Sequence, residues 1–494
     1  MVLQANAKVP IWGKADPGEK ITVMVIAGQN LSSLYPKFTT KADAKGNWRV
    51  NLSGLRSDWN YQLSISGAKD KLMIKDVLVG EVWVCSGQSN MQFGLKSANN
   101  GEAEVAGANF PQIHLFKTPR KTSATPKDNC DGKWEVCTPE TAADFSAVGY
   151  FFGRKLHQDL KVPVGLIESD WGGTAAEAWT SMPSLTAKPE FKPILDRWND
   201  IVAKYPEAHT KYEQEHAEWQ KAADAAKAAN QPVPKEPRRP TGPDDPNRPA
   251  NLYNGMISPL LPYGIQGAIW YQGESNAGRA YQYRSLFPTM INDWRAAWGG
   301  KKFPFYFVQL ANWIVPAKPD APKPKDSDES TWAELREAQT MTLSLPNTGM
   351  ALAIDIGDPN DIHPKNKQDV GKRLALNALA KVYHQKVEFS GPMYKGLKVK
   401  GNSAVVTFTH AEGLAAKGGK LKGFAVAGAD KKFVWADAEI KGNSIVVSSK
   451  SVAKPVAVRY AWADNPECTL VNGAGLPASP FRTDQWPGVT ANSK

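Results

Sequence analysis

A chain of 494 residues exceeds one ordinary domain, and two or three are expected. With 42% hydrophobic and 22% charged residues it is globular, not disordered. Its net charge of +11 is spread over Lys-rich loops such as 318–325, not gathered into one basic block with interleaved aromatics, which excludes a nucleic-acid reader. No run approaches the roughly 18 apolar residues that span a bilayer, so no membrane partner is expected.

Residues 1 to about 80 read as a small antiparallel sandwich. Ile21–Ile26, Trp48–Leu52 and Tyr61–Ile65 are short β-rich runs, punctuated by Gly13, Asp16-Pro-Gly18 and Ser66-Gly67. The opening Met1-Val-Leu-Gln has neither the charged start nor the apolar core of a signal peptide.

From about 81 to 385 the pattern alternates. Strands are expected at Glu81–Cys85, Ile113–Lys117, Val164–Ser169, Gly267–Tyr271, Phe305–Leu310 and Met350–Ile354. Helices are expected at Val148–Leu160, Tyr281–Trp298 and Trp332–Leu343. Apolar strands alternating with helices predict an α/β domain with a parallel sheet covered on both faces. Residues 188–248 interrupt it with a charged, Ala-rich stretch and a Pro-rich loop, read as an inserted helix or helical hairpin serving as a lid or as a solvated decoration. Cys130 and Cys137 lie close enough in sequence to bridge, while Cys85 reads as a buried free thiol. The cysteine and histidine spacings match no zinc pattern, so no metal or cofactor is expected.

Residues 386–494 turn β again. Ala404–Thr409, Phe424–Ala427, Ile445–Ser448 and Pro455–Trp462 form strands, with hairpin signals at Lys400-Gly-Asn-Ser403 and Lys441-Gly-Asn-Ser444. A second sandwich is expected.

The chemistry centres on Gly80–Met91. An apolar run, Val82–Cys85, breaks into Ser86-Gly-Gln-Ser-Asn90, the place where an open parallel sheet sets its reactive groups. Ser89 supplies a hydroxyl that can attack, and its N–H can receive the charge on a carbonyl oxygen. A polar turn capping a helix is the plainer alternative. The Gly-x-Ser-x-Gly elbow does not fit, because position 91 is Met. Of seven histidines, His363 stands apart. It lies just past a strand, and Asp355, Asp358, Asn360 and Asp361 precede it within eight residues, as a general base and its orienting partner require. Gly172 and Gly173 end another strand and can turn N–H groups into a site, and Gln272 or Asn276 can add a side-chain donor.

Together, Gly87-Gln-Ser-Asn-Met91, Trp171-Gly-Gly-Thr174, Trp270-Tyr-Gln-Gly-Glu-Ser275 and Asp361-Ile-His-Pro364 resemble the ordered blocks of the SGNH hydrolases, and more narrowly the sialate O-acetylesterase type. Leu252-Tyr-Asn-Gly-Met256 and Trp332-Ala-Glu-Leu-Arg-Glu-Ala-Gln339 resemble further pieces of that group. The resemblance implies a three-layer α/β/α, flavodoxin-like SGNH domain, flanked by β-sandwich-like regions, that removes acetyl groups from sugars without a metal. It implies Ser89 as nucleophile, His363 as base and Gly172 as an oxyanion donor. Two positions depart from the pattern. Asn360 stands where the family has Asp, which leaves Asp361 as orienting carboxylate, Asp358 as substitute, or a Ser–His dyad. Ser275 stands where the family has Asn, which makes Gln272 the expected third oxyanion donor. The same blocks offer Gln88, Asn90, Trp171, Asn254 and Glu274 as substrate contacts. Trp83, Trp171, Trp179 or Trp332 can stack on the sugar, although such rings are more often core. An O-acetylated sugar or polysaccharide is the expected partner. The likeness also implies that the chain begins inside the family's first strand, and hence a periplasmic or secreted protein.

Overall fold

The computed structural model describes residues 1–27, 36–57, 59–314 and 330–493. The Lys-rich loop 318–325 lies outside the described residues.

A seven-strand path crosses the central sheet in the order Thr348–Leu352, Phe305–Gln309, Gly267–Tyr271, Lys71–Gly87, Val164–Asp170, Phe110–Lys117 and Trp134–Cys137. The first six are parallel and the last is antiparallel. Five of them, Thr348–Leu352, Phe305–Gln309, Gly267–Tyr271, Val164–Asp170 and the second half of Lys71–Gly87, are buried at every position. That is why their sequences read as continuous apolar runs. From Lys71–Gly87 the chain first builds one side of the sheet and then the other. The C-terminal end of this strand is therefore a topological switch point, where open α/β sheets bind ligands.

Lys71–Gly87 is a single 17-residue strand. Its first half pairs antiparallel with Tyr61–Ser66 of the N-terminal β region, and its second half sits in the parallel sheet. Position 80 falls inside this unbroken strand. Val2–Gln4 pairs parallel beside it at Leu78–Gly80.

Helix Ala147–Leu160 packs on Lys367–Lys381, and Ala280–Ala297 packs on Thr331–Met341. The C-terminal region holds two four-stranded antiparallel sheets. The Lys400–Ser403 and Lys441–Ser444 hairpins have Gly401 and Gly442 at φ 59° and 60°, the left-handed backbone that tight hairpin turns need.

The insertion is one 37-residue helix, Lys192–Ala228, with an irregular return segment beside it. The Trp219 indole N–H donates to Pro234 O at 2.8 Å, and His216 faces Glu236. Only Ile194, Trp198 and Ala223 of this helix are buried. The expected Cys130–Cys137 bridge is absent: both thiols are free, and Cys137 turns to the Ala108 carbonyl. Spacing in sequence did not predict the direction in which each side chain leaves its backbone.

Candidate active site

The strand that leads to Ser89 ends at Gly87. Its φ is 143°, and a Cβ there would lie 2.1 Å from the Tyr271 carbonyl oxygen, so only glycine lets the two strand ends approach. The helix Ser89–Gln92 starts at once. Ser89 occupies its first turn, where backbone N–H groups have no partner within the helix.

Ser89 Oγ lies 2.8 Å from His363 Nε2, within hydrogen-bond reach across 274 residues of sequence. Asp361 Oδ1 accepts from the His363 backbone N–H at 2.8 Å and stands 3.6 Å from His363 Nδ1. The carboxylate is thus beside the ring but just outside hydrogen-bond distance. Asp358 accepts from Asn360 N at 2.9 Å and closes its own turn. Of the two acids, Asp361 is the one brought to the imidazole.

The His363 loop is tied down along its length. Asp355 at its start takes two bonds from Arg373, at 2.6 and 2.8 Å. Gly357 N donates to Asn312 Oδ1, Ile314 N donates to Pro359 O, and Asn90 Nδ2 donates to Ile362 O. Segment 311–314 is held in turn. The buried Arg336 donates to the carbonyls of Leu310, Ala311, Ala463 and Asp464, at 2.9, 2.8, 2.7 and 2.9 Å. The last two belong to the C-terminal region, which therefore helps hold the histidine.

Beneath the Ser–His contact runs a buried polar chain. Asn90 donates to Glu274 Oε1 at 2.7 Å and accepts from Lys367 Nζ at 2.5 Å. The Lys367 ammonium also lies 4.8 Å from the Phe93 ring centroid and 5.3 Å from that of Tyr271. Burial pulls Lys367 down to about 7, opposed by Glu274, and burial pushes Glu274 up. His363 is lowered by burial first and by the Lys367 charge second, while Asp361 pulls it back up.

Several expected contacts change role. Asn90 and Glu274 face each other under the site instead of an open cleft. Gln88 Oε1 accepts from Gly273 N and Ser275 N, both at 3.4 Å, and links two strand ends. Asn254 donates to Ser123 O. Gln272 is fully buried. Its amide donates to Thr174 O and Asn276 Oδ1 and accepts from the Tyr283 hydroxyl, so it is not turned to Ser89. Asn276 donates to Glu177 instead. Trp83, Trp179 and Trp332 are core residues, and Trp171 alone of the four is half-buried. Gly172 lies beside Ser89: a Cβ on it would lie 3.2 Å from Ser89 Cβ.

The chain is 30% identical to the sialate O-acetylesterase of mouse (Mus musculus), over 97% of this chain and 92% of the mouse protein. It belongs to the sialate O-acetylesterase family. The human (Homo sapiens) enzyme of that name is 29% identical over 100% of this chain and 93% of its own. Residues 246–380 match the family model described as carbohydrate esterase, sialic acid-specific acetylesterase. Among solved structures, a carbohydrate acetylesterase from Xanthomonas citri superposes with a TM-score of 0.81 at 38% identity, covering 98% of this chain and 97% of that one.

In this member of the sialate O-acetylesterase family, sequence reasoning missed Lys367, Arg336 and Gln92. Nothing in the polar stretch Lys365-Asn-Lys-Gln-Asp369 sets Lys367 apart from the chain's other lysines. Arg336 lay in a quoted block, but its targets are backbone carbonyls that no sequence displays. Gln92 accepts the Gly172 N–H through Oε1 at 2.7 Å. One signal pointed to it: it lies three residues after Ser89, on the same side of a helix that begins there.

Proposed function

We propose that this carbohydrate esterase is a serine hydrolase that removes O-acetyl groups from sugars through an acetyl-Ser89 intermediate, with sialic acid as the acetylated sugar. The observation that carries the reading is the 2.8 Å contact of Ser89 Oγ with His363 Nε2 beside Gly172. His363 takes the Ser89 proton as Oγ bonds to the acetyl carbon, and the carbonyl π pair moves onto oxygen. The Ser89 and Gly172 N–H groups receive that charge; one such donor is typically worth about 3 kcal/mol. The oxyanion then collapses, the carbon–sugar oxygen bond breaks, and His363 returns its proton to the leaving sugar. Water, deprotonated by His363, repeats the sequence to release acetate.

The central unit is read as a three-layer α/β/α SGNH domain. Support comes from neighbouring strands. Cys85 meets helix Ala147–Leu160 at Gly149, while Trp270, paired with the next residue, Ser86, meets Trp294 of helix Ala280–Ala297. Successive positions of a strand point to opposite faces. Among the described residues no helix is long and apolar enough to cross a membrane. A periplasmic or secreted location is the accompanying proposal.

Acetate release from O-acetylated sialic acid, acetylated xylan and acetylated xyloglucan tests the reading. The fastest turnover is expected on sialic acid. Preference for either plant polysaccharide keeps the esterase and replaces its substrate. Failure to hydrolyse all three and p-nitrophenyl acetate as well would favour a non-catalytic carbohydrate-binding protein.

The pH profile follows from the surroundings of His363. The neutral imidazole is the base, so kcat/KM rises with pH through a midpoint below the ordinary 6.5 of histidine. Asp361 is the group that raises it. Asp361→Asn is therefore expected to move the midpoint lower still. It should also slow turnover by roughly ten- to a hundredfold, because the ring loses its neighbour but not its contact with Ser89. An upward move of the midpoint would remove Asp361 from this role.

A further inference from the structure

With Gln272 and Asn276 engaged in the core, the site has backbone donors but no side-chain donor from the expected block. The Gly172 N–H, which should receive the oxyanion, already holds the Gln92 carboxamide oxygen at 2.7 Å. A Cβ on Gly172 would lie 3.0 Å from Gln92 Oε1 and 3.2 Å from Ser89 Cβ. Gln92 and Ser89 thus flank one glycine, from one turn of one helix. Gln92 is only half-buried and has rotatable bonds along its stem, so the carboxamide can turn without repacking the core.

We infer that Gln92 is the third oxyanion donor: its carboxamide oxygen accepts the Gly172 N–H, and as the tetrahedral intermediate forms it yields that N–H and turns its Nε2–H to the substrate oxygen. The inference rests on the esterase reading above. Its physical basis is a competition for one N–H. In the ground state a neutral ester carbonyl competes with the neutral Gln92 oxygen, with little advantage to either. In the transition state the competitor is an oxyanion, and hydrogen bonds to an ionised partner are about twice as strong. The exchange favours the transition state over the bound ester, which is the condition for raising kcat instead of lowering KM. Once displaced, the carboxamide lies beside the oxyanion and offers two N–H donors.

Gln92→Ala and the similarly sized Gln92→Met, which fills the space without a donor, are compared with wild type on p-nitrophenyl acetate. Both variants are expected to lose about a hundredfold in kcat with KM within about threefold. Both should bind methylboronic acid, which forms a tetrahedral adduct on the serine, more weakly by a similar factor. Gln92→Glu is expected to be slower still, because a carboxylate would face the oxyanion. If Gln92→Ala or Gln92→Met keeps kcat within threefold, or loses kcat with boronate affinity unchanged, the inference is overturned while the esterase reading stands. Should one variant fail to fold, the other decides. A wild type without hydrolysis overturns both readings.

Discussion

Ser89→Ala is expected to lower acetyl-ester hydrolysis by about 10⁴-fold or more with the fold unchanged. The side chain is small and half-buried at the first position of a short helix, so its loss opens little core. What disappears is the hydroxyl that, in the proposed mechanism, bonds to the acetyl carbon and hands its proton to His363 Nε2, 2.8 Å away. The oxyanion donors remain, and in serine hydrolases such a remnant still exceeds water by 10³–10⁴-fold, so the variant should be slow and not fully inert. Initial rates on p-nitrophenyl acetate give the loss, and mass spectrometry of acid-quenched enzyme should find the acetylated Ser89 peptide in wild type alone. Equal rates in both proteins would remove Ser89 from the mechanism.

The second large effect is on stability. Arg336→Met is expected to cost roughly 3–5 kcal/mol, and to lower turnover in whatever fraction stays folded. The guanidinium is fully buried and donates to four backbone carbonyls. Burial pulls it down to about 10, which still leaves it charged near neutral pH. A buried polar group left without a partner costs about 1–3 kcal/mol, and methionine would strand carbonyls on two segments at once. Those segments, 310–311 and 463–464, lie on either side of the junction that steadies the His363 loop. Arg336→Lys should recover only part of the loss, because an ammonium cannot reproduce a planar fork of five N–H groups. Thermal unfolding with kcat measured in parallel decides the matter. A melting temperature within 1 °C of wild type would show that the junction does not depend on this residue.

Much of this was legible before any coordinates. Gly267–Tyr271 coincides with its expected strand, and Phe305–Gln309, Thr348–Leu352 and Val164–Asp170 differ only at their ends, because a strand buried on both faces writes itself as an apolar run, whereas the half-buried edge strand Trp134–Cys137 was not expected at all. That Ser89, Gly172 and His363 come together was legible because each sits where such a run stops at small or polar residues. Other features depended on long-range partners. The exposed, partly charged stretch Lys71–Asp76 does not read as strand, so the ribbon entering the sheet seemed to start only at Glu81. Gln272, Asn254, Glu274 and Asn90 carry side chains suited to a cleft, and only the folded backbone determines that their partners lie inside. Gln92 was missed for the converse reason: an ordinary glutamine acquires meaning from the glycine opposite.

The 17-residue strand that runs from the N-terminal β region to Gly87 has a practical corollary for anyone trimming this enzyme. The first 70 residues are not a detachable appendage. Cutting at a convenient boundary near position 80 would sever the beam on which Ser89 is mounted, and would bare the edges where Val2–Gln4 and Tyr61–Ser66 once docked. A shortened enzyme would have to keep both Val2–Gln4 and Tyr61–Ser66 or be given replacement edge strands, and library designs that treat the N-terminal region as an interchangeable module would damage the central sheet with it.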